Sequence, residues 1–272
     1  NKYQISNFFI IKKKIKFILV KLINIFGLSN IVKITNPRSF ESVQWKYENI
    51  AGNYIKNHKN KNKLKFIAIN DKKKVFECLG MITPYYGECL KNLYNFYNCK
   101  SILEVGAGEL TTIYTFLKRL KKKPTLIGAI DMSHKRLLVG KKYLKGKKMN
   151  IEYLAKADAS KLPFKNNSFD FVYTANCLEQ VPDLFIKSLR EAVRVSSNLI
   201  VIIEPSYQFG TNASRNNIIK KGYTQINDGH FKKLGLKPIY RNSLKLGYYN
   251  TLTEIIVLKK RLSKNKQVNK VN

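Results

Sequence analysis

Acidic side chains are scarce in this chain: 17 Asp and Glu stand against 51 Lys and Arg, a formal net charge of +34 over 272 residues. A surface so short of carboxylates is drawn to polyanions by electrostatics that carry no sequence information. Yet the excess is nearly all Lys, keeps company with Asn and Ile as in "KNHKNKNKLK" (56–65), and is scattered instead of forming one stripe. An A+T-rich coding sequence yields that pattern whatever the function, so the charge alone does not assign a nucleic-acid partner. Cysteine is sparse too. Cys78, Cys89, Cys99 and Cys177 form no C-x-x-C pair and no His-bearing metal pattern, which excludes a disulfide framework or zinc finger and points to reduced thiols in the cytoplasm.

Also missing is an apolar run of the roughly 20 residues that a membrane span needs. The nearest approach, "FFIIKKKIKFILVKLINIFGL" (8–28), is interrupted by Lys12, Lys13, Lys14, Lys16 and Lys21. At about 100° per residue, Phe8, Ile11, Ile15, Ile18, Leu22 and Ile25 share one face and most lysines the other, the pattern of a basic amphipathic helix. Such a helix either rests peripherally on an anionic membrane or packs its apolar face on its own domain as a lid. Residues 1–74 thus read as this helix plus an irregular connector around one strand, "KLKFIAI" (63–69), and residues 263–272 as a basic disordered tail.

What is present is a regular alternation over 75–262. Apolar runs at 101–105, 125–131, 150–158, 168–176 and 198–205 are separated mostly by helical stretches, at 110–120, 134–144 and 184–195. A helix at 86–98 leads in, and a helix near 227–235 precedes two strand-like runs, 237–244 and 252–260. The alternation predicts a parallel sheet covered on both faces, and the short last connection an antiparallel pair at its edge. The fold class is therefore α/β, a Rossmann-like seven-stranded mostly parallel sheet with an antiparallel C-terminal edge pair.

In such a sheet the ligand sits beyond the carboxyl ends of the strands. The first of these ends runs into "SILEVGAGELTT" (101–112), where Gly106-Ala107-Gly108 turns a strand into a helix. A dinucleotide loop requires a third glycine where this chain has Thr111, and the two flanking carboxylates, Glu104 and Glu109, oppose a pyrophosphate. An acidic surround suits a cofactor with a sulfonium and an amino group. Asp131, 23 residues after Gly108, stands at the spacing of a ribose-binding carboxylate, and Asp158 ends the third strand.

The succession E-V-G-A-G (104–108), A-I-D-M-S (129–133), "ADASKLPFKNNSFDFVYTANCLEQVPD" (157–183) and "NLIVIIEPSY" (198–207) resembles the class I S-adenosylmethionine-dependent methyltransferases, most closely the branch acting on small molecules and glycans. The resemblance implies S-adenosylmethionine as cofactor. It places Glu104 near the methionine amino group and Gly106, Ala107 and Gly108 where the backbone approaches the cofactor. Asp131 would hold the ribose, Met132 cover the adenine, Asp158 with Ala159 orient the adenine amine, and Asn176 close the floor beneath the sulfonium. Asp170 reads as structural. Many relatives carry a His pair where this chain has "CLEQVPD", which removes the usual base and leaves Glu179 and His230 as candidates, each with a plainer role at a helix end. The expected acceptor is a small molecule or glycan, lipid-linked if residues 8–28 meet the membrane. An RNA methyltransferase and a non-catalytic partner-binding relative are the alternatives. The chain lacks the N-P-P-Y type motif of base-amino methyltransferases and any added RNA-binding module.

Overall fold

A computed structural model describes residues 38–59, 82–248 and 251–260. The expected helix at 8–28, the strand at 63–69, the tail at 263–272 and Cys78 lie outside the described residues. In chain order the elements are α1 (Phe40–Asn49), α2 (Asn53–Lys59), α3 (Thr83–Phe96), β1 (Ser101–Val105), α4 (Thr111–Leu117), β2 (Leu126–Asp131), α5 (His134–Lys145) and β3 (Tyr153–Lys156). There follow β4 (Phe169–Ala175), α6 (Phe185–Val195), β5 (Ser196–Pro205), α7 (Asn212–Lys220), α8 (Asp228–Lys232), β6 (Tyr240–Tyr248) and β7 (Thr251–Lys259).

The strands form one seven-stranded sheet in the order β3-β2-β1-β4-β5-β7-β6. The pairs among β1 to β5 are parallel, while β7 runs antiparallel to both neighbours. The expected sheet is therefore present, with one refinement: the last strand inserts between β5 and β6, leaving β6 at the edge. Burial explains the choice. Leu252 to Leu258 of β7 are buried without alternation, which only an interior strand tolerates, whereas β6 begins "YRNS" and keeps polar residues at the rim.

Alternation along the strands feeds two apolar layers. Ile102, Phe171 and Val201 face Tyr86 and Leu90 of α3 and Phe116 of α4. Leu103, Val172 and Ile200 face Phe185, Leu189 and Ala192 of α6, whose helical spacing makes a single apolar stripe.

Polar groups lock the frame. Asp170 accepts hydrogen bonds from the Lys100 and Ser101 amides at 2.8 and 2.7 Å, fastening the start of β1 to β4, as its structural reading anticipated. Arg194 donates to the carbonyls of Phe164 and Leu162 while its partner Glu191 accepts from the Leu162 amide, so α6 holds the loop "DASKLPF". Residues 40–59, read as irregular connector, instead form α1 and α2. Ser39 caps α1 by accepting from the Ser42 amide, and the helix buries only Val43 and Tyr47, too little periodicity to declare itself in sequence.

Candidate functional site

The glycine loop turns through positive φ at Gly106 (78°), Gly108 (53°) and Leu110 (59°), conformations natural to glycine and costly for leucine. Its amides are already used. Gly106 and Ala107 donate to the Ile130 carbonyl at 2.9 and 2.8 Å, and Gly108 donates to Asp131 Oδ2 at 2.8 Å. A loop whose amides point back into β2 cannot cradle a phosphate, in agreement with the missing third glycine. The glycines serve close packing. A Cβ on Gly106 would overlap Cys177 Sγ, and one on Gly108 would overlap the Arg136 guanidinium. Gly108, expected beside the cofactor, lines neither of the two adjoining cavities here and makes room for Arg136.

The two carboxylates flanking the loop have opposite fates. Glu109 does not face a ligand: its oxygens accept from the amides of Gly52 (3.0 Å), Tyr54 (3.4 Å) and Ile55 (2.8 Å), capping α2. Its place in the acidic surround is thus a correction. Arg136 lies 3.9 Å from Glu109 Oε1 and 3.9 Å from Asp131 Oδ2, between the rings of Tyr47 and Tyr54, each 4.8 Å away. Glu104 is 1% exposed; its Oε2 and the adjacent Tyr173 hydroxyl meet no partner at hydrogen-bond geometry. Burial pushes the Glu104 carboxyl up to about 8. It lines a cavity of about 360 Å³ together with Gly106, Ala107, Thr111, Asn176 and Glu179.

A second, smaller cavity opens on the other side of Gly106. Asp131, Met132, Asp158, Ala159 and Asn176 line it, and Phe40, Val43 and Tyr47 of α1 cover it. Asp131 accepts one amide on each oxygen, from Gly108 and Ser133, which leaves lone pairs for hydroxyl donors. Asp158 accepts from the Ser160 amide and hydroxyl at 2.7 and 2.9 Å. Asn176, at φ 52°, borders both cavities and donates to Tyr86 Oη at 3.2 Å. The expected nucleoside residues are therefore gathered along one edge. The missed contributors are α1 and α2, tied down by Glu109, by Glu48 accepting from the His134 amide (2.8 Å) and by Gln44 donating to the Met132 carbonyl (3.2 Å).

Of the two candidate bases, only Glu179 borders the larger cavity. It is 1% exposed; Oε1 accepts from Gln180 Nε2 and Oε2 receives no N–H. Beside it Glu204 accepts from Thr174 Oγ1 (2.9 Å) and the Leu178 amide (3.1 Å), and burial, with the Glu179 charge, holds its carboxyl well above the usual range. His230 lies elsewhere. Its Nδ1 accepts from the Asn227 amide at 3.2 Å in a capping box, and its ring meets Phe185 edge-on. The structure does not bring it to the site.

A seven-stranded sheet in this order, parallel but for an antiparallel β7, is the Rossmann-like fold found in methyltransferases. Residues 102–198 match a family model described as a methyltransferase domain. The chain is similar to the demethylmenaquinone methyltransferase of Staphylococcus haemolyticus, 40% identical over 82 residues, which are 29% of this chain and 33% of that protein. It spans only a third to under half of the length of the curated relatives it matches. Among solved structures, magnesium protoporphyrin IX methyltransferase from Synechocystis PCC 6803 with bound SAH is similar in fold, with TM-score 0.52, 11% identity and coverage of 66% of this chain and 83% of that one. So is the [4+2]-cyclase SpnF, with TM-score 0.56, 9% identity and coverage of 80% and 96%. The family match thus rests on residues 102–198, and the solved structures show a shared fold.

Proposed function

We propose that this chain transfers a methyl group from S-adenosylmethionine to a small-molecule acceptor built on a hydroxylated ring, of the quinol kind. The observation that carries this reading is the larger cavity, lined by Glu104 with its unpartnered oxygen, Asn176, Glu179 and the rings of Tyr47, Tyr54 and Tyr223. The local similarity to demethylmenaquinone methyltransferases supports the ring.

The residues fit the cofactor. Glu104, buried with a free oxygen, suits an ammonium; Asp131 has acceptor capacity for ribose hydroxyls; Met132, Asp158 and Ala159 border the space for a base. When bound, the cofactor supplies a methyl group on a sulfonium whose leaving group is already good. The chain's own task is then alignment and proton removal. Asn176 borders both cavities, the tyrosines orient a ring, and Glu179 accepts the proton of an acceptor hydroxyl, with Glu204 keeping its own proton.

Incubating the chain with methyl-labelled cofactor and separated small-molecule, glycan and RNA fractions tests this. Label is expected in the small-molecule fraction and to fall at least tenfold in Glu179→Gln, as for loss of a positioned base. Label confined to RNA or glycan would refute the acceptor class.

A further inference from the structure

Three cations converge on the mouth of the larger cavity. Lys46 and Lys221 line it, and Arg38 joins them, its guanidinium 4.7 Å from the centroid of the Tyr223 ring. Lys221 Nζ lies 5.5 Å from that same ring and Lys46 Nζ 5.1 Å from the Tyr47 ring. Among the described residues none of the three forms an ion pair; Arg38 donates only to the neutral amide of Gln180. Elsewhere Arg194 pairs with Glu191, Arg241 with Glu254 and Arg136 with Glu109 and Asp131, while Arg215 donates to the Tyr207 and Gln208 carbonyls.

Grouped like charges raise the free energy of the empty site, and cation–π contacts at these distances offset only part of it. Burial first, then the Arg38 charge, lowers both lysine pKa values. The deep wall has the opposite character, because Glu104 and Glu179 are each 1% exposed while Lys46 is exposed. Tyr47, Tyr54 and Tyr223 line the same cavity, surfaces for a planar ring. The cavity is polarised, acidic where the reacting hydroxyl belongs and cationic at the entrance.

We propose that the acceptor is an aromatic anion: a hydroxylated planar ring bearing a carboxylate or phosphate, its charged group held by Lys46, Lys221 and Arg38 and its hydroxyl turned toward Glu179. This rests on the acceptor reading above and narrows it, since a wholly neutral quinol brings no charge to three cations that have only the more distant Glu179 opposite them.

The test is calorimetry on the full chain saturated with S-adenosylhomocysteine, with 3-hydroxy-2-naphthoate, its neutral amide and 2-naphthyl phosphate as probes. At least one anion is expected to bind about tenfold or more tightly than the amide, as charge-assisted hydrogen bonds require. The tighter anion identifies the group. In Lys46→Gln/Lys221→Gln the preference falls toward unity while S-adenosylhomocysteine binds as before. Equal binding of amide and both anions, or a preference that survives the double substitution, overturns the proposal. Should S-adenosylhomocysteine itself not bind, the methyltransferase reading fails, and the acid–amide comparison still decides whether the mouth selects anions.

Discussion

Replacing Glu104 with Gln separates what this carboxyl costs the fold from what it does for the cofactor. Its pKa rises from 4.5 to about 8 on folding because burial disfavours the charged form. The folded chain therefore binds more protons than the unfolded one across that window, and stability falls as pH climbs from 4.5 to about 8. At roughly 1.4 kcal/mol per pH unit, keeping the carboxyl neutral at pH 7 costs about 3 kcal/mol. Gln escapes that cost but buries an amide N–H, so the cofactor-free variant gains about 1–3 kcal/mol at pH 7 and at pH 4.5 is equal to the parent or less stable by up to about 2 kcal/mol. Urea unfolding from pH 5 to 8 measures it; a stability difference that does not grow with pH refutes the argument. Cofactor binding should show the other side. An ammonium arriving beside Glu104 ionises it, so close to one proton is released at pH 6 and fewer above pH 9, measurable by calorimetry in buffers of different ionisation enthalpy. Glu104→Gln abolishes the release and weakens binding about 10- to 100-fold, the worth of a hydrogen bond to a charged group.

Other substitutions test the frame around the site. Gly106→Ala places a methyl into Cys177 Sγ at φ 78° and is expected to lower stability by about 2–4 kcal/mol; adding Cys177→Gly relieves the overlap and leaves only the backbone strain, about 1–2 kcal/mol. Glu109→Ala removes the acceptor for the Gly52, Tyr54 and Ile55 amides, and hydrogen exchange there should accelerate about tenfold or more while the β4 and β5 amides keep their protection. His230→Ala should cost about 1 kcal/mol of stability through the lost cap and change turnover less than twofold; a large loss of turnover would restore His230 to the chemistry.

The sheet was legible because burial dictates pattern. Strands covered on both faces must be continuously apolar, and the runs at 101–105, 168–176 and 198–205 could hardly be anything else. The candidate site's location was read from topology, since parallel strands bring their carboxyl ends to one edge whatever the loops contain. The helices α1 and α2 were not legible. A helix that buries two residues in ten leaves almost no periodic signal, and what holds α2 is a carboxylate 54 to 57 positions away in sequence.

Glu104 and Glu109 show where such reading stops. They flank the same glycine turn, carry the same charge and gave the same sequence signal, an acidic surround. One accepts from three amides at the start of α2, Gly52, Tyr54 and Ile55; the other lines the cavity with an oxygen that meets no partner at hydrogen-bond geometry. No local rule distinguishes them, because the donors that silence Glu109 come from a segment whose own sequence gives no notice of helix. The availability of a carboxylate for a ligand is decided by long-range partners, and a motif reports only that it is nearby. For the same reason Arg136, three residues into a helix full of lysines, passes for a surface cation until the fold sets it between Tyr47, Tyr54 and Asp131.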